Sequence, residues 1–189
     1  MSCIKGSGFR CALGRKAVFL DRDGILNRER TDYVKTPEEF EMLAGVEGPI
    51  RKMHERRYLM VVVTNQSAVG RGFTTLEILG RIHDKMLTEL ERLGCTVDGV
   101  YYCPHTPADD CSCRKPRPGL ILKAVEDFGI DLAQSWLIGD KESDVEAARR
   151  AGCRGVIVPS NGNGLEIGVR EILAREDSKI RVDQSGNSV

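Results

Sequence analysis

Two pairs of aspartates in this 189-residue chain come at the ends of short apolar segments: Asp21 with Asp23, and Asp140 with Asp144. Carboxylates that are brought together repel one another unless a cation lies between them, and a small hard cation with oxygen ligands suits such a group. The two pairs therefore predict a Mg²⁺ site. For the first pair alone, an ordinary turn after a strand is the alternative. An EF-hand loop is excluded because its sixth position would be Leu26 instead of glycine.

A second candidate site is the compact group Cys103, His105, Cys111 and Cys113. Four thiolate and imidazole ligands favour tetrahedral Zn²⁺, and four protein ligands leave no open position for a substrate, so this zinc is expected to be structural. The chain has 7 cysteines, an odd number with uneven spacing, which argues against a disulfide framework. A redox pair, or four unrelated residues in a polar loop, are the remaining alternatives.

Groups that suit phosphate oxygens lie in two further segments. Thr64 and Ser67 precede the glycine-bearing stretch 68–72, so hydroxyl and backbone N–H groups can point at one anion before the next helix begins. Lys115 precedes another helical pattern and can balance phosphate charge. Taken singly, a glycine-bearing turn and a solvated surface lysine are the alternatives.

The elements that must position these residues alternate between strand and helix. Five apolar segments rich in β-branched residues predict buried strands at 17–21, 59–65, 99–103, 135–140 and 154–159. Apolar residues at helical spacing predict helices at 48–57, 74–93, 118–128 and 141–151. This alternation predicts an α/β fold with one doubly wound, Rossmann-like parallel sheet of about five strands and helices on both faces. Ligands of such sheets bind at the carboxyl ends of the strands.

Composition limits the partners of the chain. The 28 basic and 28 acidic residues cancel, so the chain lacks the cationic excess that sequence-independent nucleic-acid binding needs. No apolar run approaches the roughly 18 residues of a membrane span, and residues 1–16 lack an apolar signal region, which favours a cytoplasmic protein. The polar segments 1–16 and 176–189 are expected to be loose tails of a single domain, 17–175. His54 and His83 are expected on exposed helix faces.

The motifs Asp21-x-Asp23, Thr64, Lys115 and Gly139-Asp140-x-x-x-Asp144, in this order, resemble those of the haloacid dehalogenase superfamily of phosphotransferases. Within it, the segments 21–27, 63–67, 101–105, 113–116 and 139–141 are similar to the heptose-bisphosphate and histidinol-phosphate phosphatases. The resemblance covers about residues 17–159.

This resemblance implies a role for each motif residue. Asp21 would be the nucleophile that forms an aspartyl phosphate, and Asp23 would be the general acid and base. Mg²⁺ would be held by the side chains of Asp21 and Asp140 and by the backbone carbonyl of Asp23. Thr64 and Lys115 would bind the oxygens of the transferred phosphoryl group.

The resemblance also implies which polar residues contact the substrate. These are Glu29, Arg30, Thr31, Asp32, Asn65, Gln66, Ser67, Arg114 and Lys141. Arg114 beside Lys115 suits a second phosphate, because a guanidinium binds phosphate through two parallel hydrogen bonds.

The activity implied is removal of the 7-phosphate from D-glycero-D-manno-heptose 1,7-bisphosphate, a small phosphorylated sugar, in the synthesis of nucleotide-activated heptose. The zinc loop 103–113 would take the place of a cap domain, and the resemblance implies a monomer. Histidinol phosphate is the alternative substrate, and an inactive zinc-stabilised interaction module is the alternative of a different class. The sequence leaves open whether the α or the β anomer is preferred.

Overall fold

The computed structural model describes residues 14–185, with side chains to residue 178, and these residues form one central sheet. Its strands are β1 (Ala17–Leu20), β2 (Leu59–Asn65), β3 (Gly99–Cys103), β4 (Trp136–Gly139) and β5 (Arg154–Ile157). All neighbouring strands are parallel, in the spatial order β3-β2-β1-β4-β5. The predicted five-stranded parallel sheet is confirmed, and each strand lies within its predicted segment.

Helices cover both faces of the sheet. They are α1 (Glu47–Glu55), α2 (Leu76–Arg92), α3 (Gly119–Phe128), α4 (Glu142–Ala151) and α5 (Gly164–Ser185). Buried side chains of α1, α2 and α5 pack in one apolar cluster, and those of α3 and α4 pack in a second. The doubly wound arrangement is thereby confirmed, and its strand order reverses between β1 and β4, the place where ligands of such folds bind.

The strands are apolar throughout because both of their faces are covered. In β1, Val18 and Leu20 belong to one cluster while Ala17 and Phe19 belong to the other, and all four are 0% exposed. Burying a side chain the size of Leu or Phe contributes about 1.5 to 3 kcal/mol. The two-sided burial therefore makes the central strands a rigid base for the residues that follow them.

Helix α5 corrects the expectation of a loose C-terminal tail from residue 176, since it continues to Ser185. Leu165, Val169 and Ile172 recur at helical spacing and are at most 2% exposed in the first cluster. This packing extends the helix beyond the region where its own sequence is apolar. The Tyr58 hydroxyl then donates a hydrogen bond to Glu176, inside the segment assigned to the tail.

Arg15 corrects the expected N-terminal boundary in the same way. Its N–H donates to the Gly129 carbonyl at 3.0 Å, and its carbonyl accepts from Asp131 N at 2.8 Å. The ordered domain thus begins before residue 17, because a backbone bridge to the segment after α3 holds Arg15. The remainder of the predicted tail, residues 1–13, lies outside the described residues.

None of the helices in residues 14–185 is long and apolar enough to cross a membrane. The connections between strands and helices within this range contain only short 3₁₀ helices, such as Pro37–Glu39 and Pro107–Asp109, and hold no inserted domain. In the described residues, the connections therefore consist of loops and short 3₁₀ helices, as expected for a fold without a cap domain.

Candidate active site

Asp21 and Asp140 meet because they follow neighbouring parallel strands. Leu20 of β1 pairs with Ile138 of β4, and the backbone N–H of Asp21 donates to the Ile138 carbonyl at 3.0 Å. Asp144 reaches the same point from the first turn of α4. Each of these three aspartates offers a carboxylate oxygen, and the three oxygens lie within 4.8 Å of one another.

Two glycines allow this close approach. Gly24 has φ +83°, and a Cβ on it would lie 2.6 Å from Asp140 Oδ2. A Cβ on Gly139 would lie 2.4 Å from the side chain of Asp144. Both distances are far below a normal carbon contact, so any larger residue at either position would separate the carboxylates.

Lys115 lies among these carboxylates. Its Nζ is 3.0 Å from Asp21 Oδ1 and 2.6 Å from Asp144 Oδ1, and all three side chains are at most 8% exposed. Burial lowers the pKa of Lys115, but the two carboxylates outweigh burial and the pKa is raised. Burial, together with Asp144 and Asp23, raises the pKa of Asp21, and Lys115 only partly opposes this. The buried cluster is therefore short of positive charge.

Asp140 shows the same shortage. Burial raises the pKa of its carboxyl, and its Oδ1 is buried without a hydrogen-bond partner within the described residues. A buried carboxylate oxygen that lacks a partner is costly unless a cation or water satisfies it. Its neighbours are carboxylate oxygens, the donors that Mg²⁺ prefers, so the residues fit this ion.

The carboxylate of Asp23 is not part of the cluster of Asp21, Asp140 and Asp144, and three neighbours hold it. Arg22 Nη2 donates to Asp23 Oδ1 at 2.8 Å, Asn27 Nδ2 to the same oxygen at 2.9 Å, and Gln66 Nε2 to Oδ2 at 2.8 Å. Burial alone would raise the pKa of Asp23, but Arg22 and the two amides lower it. This carboxylate is thus kept off the cluster and in its ionised form.

The residues at the end of β2 form hydrogen bonds that hold other residues of the site in place. Thr64 is 1% exposed, and its Oγ1 accepts from Gln66 Nε2 at 3.0 Å. The amide of Asn65 donates to the Lys115 carbonyl at 3.1 Å and accepts from Lys115 N at 3.0 Å. Asn65 and Gln66, both expected to contact the substrate, therefore use their amides on Lys115 and Asp23.

A cavity of about 420 Å³ opens above these residues. Its wall includes eleven of the predicted site residues: Asp21, Asp23, Glu29, Arg30, Thr31, Asn65, Gln66, Ser67, Arg114, Lys115 and Lys141. Thr64 and Asp140 are not on the wall. Asp32 is also absent from it, since its side chain is 59% exposed and pairs with Lys35 at 2.6 Å.

Sequence reasoning assigned no role in the site to Tyr33, Arg71 and Ser143, which also line the cavity. Arg71 lies in the glycine-bearing segment after Ser67, so its position in the motif was an available signal. Ser143 follows Lys141 in the first turn of α4, beside the last motif. The sequence around Tyr33 does not predict that its side chain lines the cavity. Its backbone has a φ of +68°, which is unusual for an aromatic residue and is imposed by the folded loop.

An ion pair between Lys141 and Glu29 lies at the rim of the cavity. Burial by itself would lower the pKa of Lys141, but Glu29 and Asp140 outweigh burial, so the pKa is raised above its usual value. The backbone N–H of Glu29 donates to Asn161 Oδ1, and Ser160 Oγ lies 3.3 Å from Glu29 Oε2. The loop after β5, which sequence reasoning did not assign to the site, thus holds one side of its entrance.

The ligand atoms of Cys103, His105, Cys111 and Cys113 converge on one point. The three sulfurs lie 3.3 to 3.5 Å from one another, and His105 Nδ1 lies 3.3 Å from Cys113 Sγ. Sulfurs at this separation are not disulfide-bonded, and four ligands around one point match a tetrahedral metal site. Arg114 Nη1 donates to the His105 carbonyl at 3.2 Å, which connects this loop to the cavity.

The fold and the site together define a phosphotransferase of the haloacid dehalogenase type. A family model described as HAD-hydrolase-like matches residues 112–175. The D-glycero-beta-D-manno-heptose-1,7-bisphosphate 7-phosphatase of Haemophilus ducreyi is 38% identical over an alignment of 160 residues that covers 81% of this chain and 87% of that protein. The protein of the same name from Helicobacter pylori strain 26695 is 42% identical over 137 residues, 72% of this chain and 79% of its own.

A solved structure agrees with these relatives. The D,D-heptose 1,7-bisphosphate phosphatase of B. bronchiseptica, complexed with magnesium and phosphate, superposes with a TM-score of 0.73 at 38% identity, covering 85% of this chain and 86% of that one. This chain belongs to the family of D-glycero-beta-D-manno-heptose-1,7-bisphosphate 7-phosphatases.

Proposed function

We propose that this protein hydrolyses the 7-phosphate of D-glycero-β-D-manno-heptose 1,7-bisphosphate through an aspartyl phosphate on Asp21. The observation that carries the proposal is the placement of Asp21, Asp23 and Lys115 on the wall of one cavity, with Lys115 3.0 Å from Asp21. The names of the relatives support the sugar and its β anomer.

In the first step, an oxygen of Asp21 attacks phosphorus while the bond from phosphorus to the sugar oxygen breaks. Asp23 gives its proton to the departing sugar oxygen. Lys115, together with Thr64, stabilises the charge on the transferred oxygens. The protonated form of Asp23 is the minority form at neutral pH, because Arg22 and its amide partners lower the pKa.

In the second step, ionised Asp23 takes a proton from a water molecule whose oxygen attacks phosphorus. The bond between phosphorus and the Asp21 oxygen breaks, which releases inorganic phosphate and restores both aspartates. The hydrogen bonds from Arg22, Asn27 and Gln66 favour the ionised form that this step requires.

Two metal ions belong to the proposal. Asp21 and Asp140 would hold Mg²⁺ with their side chains, and Asp23 with its backbone carbonyl. When bound, this ion would neutralise phosphate charge and orient the phosphate for in-line attack. Zn²⁺ would fill the site of Cys103, His105, Cys111 and Cys113, with a structural role.

The cavity suits a substrate with two phosphates. Arg30, Arg71 and Arg114 lie on its wall in addition to Lys115. Arg30 pairs with Asp32 at 3.1 Å, so Arg71 and Arg114 are the cations for a second phosphate once Lys115 has bound the first. Glu29 and Lys141 at the rim offer an acceptor and a donor for sugar hydroxyls. Histidinol phosphate, which has one phosphate, would give Arg71 and Arg114 no second phosphate to bind and is not favoured.

The test is phosphate release in Mg²⁺ buffer, measured with both anomers of the heptose bisphosphate and with histidinol phosphate. The proposal expects kcat/KM to favour the β anomer by at least about a hundredfold over histidinol phosphate, equal to about 2.7 kcal/mol of transition-state discrimination. A preference for histidinol phosphate would reject the sugar and keep the catalytic residues. Loss of phosphate release from every substrate would support the inactive interaction module instead.

The proposal includes a monomer that works in the cytoplasm. A small phosphorylated substrate supports this, because the wall of the cavity that would bind it is formed by residues of this chain alone. Light scattering of the purified chain tests the oligomeric state, and a mass near 20.9 kDa is expected.

A further inference from the structure

Arg22 is a charged residue inside the protein that contacts no reacting atom in the proposed reaction. It lies between Asp21 and Asp23, is 0% exposed, and is among the largest fully buried side chains of the described residues. Its Nε and Nη2 lie 3.2 and 2.8 Å from Asp23 Oδ1, and Nη2 also lies 3.0 Å from Oδ2. A buried charge is stable only when it is paired and hydrogen-bonded, so this guanidinium depends on its partners.

The third side of the guanidinium faces His83 of α2. Arg22 Nη1 lies 3.3 Å from His83 Nε2, and the His83 ring lies 5.4 Å from the Tyr102 ring, measured between centroids. His83 is 7% exposed, which corrects the expectation that its helix face is open to solvent. The helix turns this residue inward because Leu79 and Ile82 beside it pack into the core.

The direction of the hydrogen bond follows from the chemistry of the two groups. An arginine has five N–H donors and no acceptor, so His83 Nε2 must accept and the ring proton must be on Nδ1. Burial and the neighbouring Arg22 charge lower the pKa of His83 to about 4, which keeps the ring neutral and able to accept.

We propose that His83 and Arg22 are positioning residues for Asp23: His83 orients the Arg22 guanidinium, and Arg22 fixes the carboxylate that transfers protons in the reaction. The inference rests on the proposed role of Asp23 as general acid and base. With Nη1 bound to His83, the guanidinium cannot rotate about its long side chain, so Nε and Nη2 face Asp23. Without the acceptor, Nη1 would be a buried donor that seeks another partner.

Substrates with different leaving groups can distinguish a role in positioning Asp23 from a role in packing alone. A sugar oxygen needs a proton as it departs, whereas p-nitrophenolate is a stable anion that leaves without one. Misplacing Asp23 should therefore slow phosphoryl transfer from the sugar phosphate and spare the first transfer from p-nitrophenyl phosphate. Damage to Asp21, Lys115 or the metal site would slow both.

The experiment compares the variants His83→Phe and His83→Gln with the wild type. Phe keeps a ring beside Tyr102 but has no acceptor, whereas the Gln amide oxygen can accept from Arg22. In His83→Phe, kcat for the heptose bisphosphate should fall about ten- to hundredfold with KM within about twofold, and single-turnover release of p-nitrophenolate should stay near the wild-type rate. His83→Gln should recover most of the lost kcat.

The matched control is His54→Phe, since His54 is a helix histidine whose Nε2 lies 3.4 Å from Asp98, with a side chain 31% exposed. Its kinetics should equal those of the wild type. If His83→Phe does not fold, Arg22→Lys replaces it: the charge stays, the fork of donors is lost, and the same difference between the two leaving groups is expected.

Three results would overturn the inference: wild-type kcat on the sugar in a folded His83→Phe or Arg22→Lys variant, an equal loss on both leaving groups, or no recovery in His83→Gln. A wild type that hydrolyses histidinol phosphate but not the heptose bisphosphate rejects only the proposed substrate, and the comparison then uses histidinol phosphate. A wild type without any phosphatase activity rejects the proposed function and this inference together.

Discussion

The side-chain amide of Asn65 binds both backbone polar groups of Lys115, with its oxygen 3.0 Å from Lys115 N and its nitrogen 3.1 Å from the Lys115 carbonyl. Asn65 is the last residue of β2, whereas Lys115 lies in the loop before α3, 50 positions further along the chain. These two bonds fix the loop to the rigid sheet and so determine where the Lys115 ammonium lies relative to Asp21.

Removing this link should impair catalysis. In Asn65→Ala, two hydrogen bonds of about 1 kcal/mol each are lost and the loop that carries Lys115 can shift. We expect kcat/KM for phosphate release to fall at least about tenfold, with a folded protein by circular dichroism. Asn65→Asp keeps the acceptor for Lys115 N but loses the donor to its carbonyl, so it should fall between wild type and Asn65→Ala. Activity equal to wild type in Asn65→Ala would disprove this role.

The proposed role of Asp21 as the nucleophile is tested by Asp21→Asn. An amide cannot form the aspartyl phosphate, so kcat should fall by at least about a thousandfold. The variant should fold, because Asn has the same shape and removes a carboxylate whose pKa burial already raises. Asp127→Asn, on the exposed surface of α3, is the control and should keep full activity. Residual activity near wild type in Asp21→Asn would exclude Asp21 as the nucleophile.

Removal of the proposed zinc should weaken substrate binding more than it slows chemistry. Arg114 lies directly after Cys113, and its guanidinium is anchored on the His105 carbonyl, so a loosened loop displaces a wall residue of the cavity. After chelation, or in Cys111→Ser, we expect KM to rise about tenfold or more with a smaller change in kcat, and zinc content by elemental analysis should fall.

The control for this measurement is Cys95→Ser, a buried cysteine outside the cluster, which should retain zinc and normal kinetics. Unchanged KM in protein verified to be free of zinc would contradict the link between the loop and the cavity.

His83 should make the stability of the fold depend on pH. Its pKa is lowered from 6.5 to about 4 in the folded state, by burial and by Arg22, so between these values the unfolded chain binds more protons than the folded one. Stability therefore rises with pH in this window and is lost on acidification from pH 6.5 toward pH 4. Between pH 7 and pH 5 this residue should remove about 2 kcal/mol from the free energy of unfolding.

The measurement is denaturant unfolding at both pH values for the wild type and for His83→Gln, which cannot be protonated. The difference in free energy of unfolding between pH 7 and pH 5 should be smaller in the variant by about 2 kcal/mol. The same pH dependence in both proteins would show that His83 is not the group that titrates.

Much of this architecture could be predicted from local patterns. The predicted bounds of β2 and β3 match the structure because each strand is a short apolar run with a clear change of composition at its ends. Asp21 and Asp140 could be placed at one edge for the same reason, since parallel strands end on the same side of a sheet. The sequence patterns do not predict helix α5 because few of its residues are buried. Their helical spacing becomes informative only when the sheet against which they pack is known.

The sequence by itself determined the kinds of chemistry available: the carboxylates at the strand ends, a lysine that can balance negative charge, and a group of Cys and His residues that are close in the chain. Only the tertiary structure decided which side chains work together. Asn161 holds Glu29 across 132 positions, and His83 meets Arg22 across 61. A local sequence pattern predicts structure over a short helix or strand. The partner of a buried polar group depends instead on which distant segments the folded sheet brings into contact.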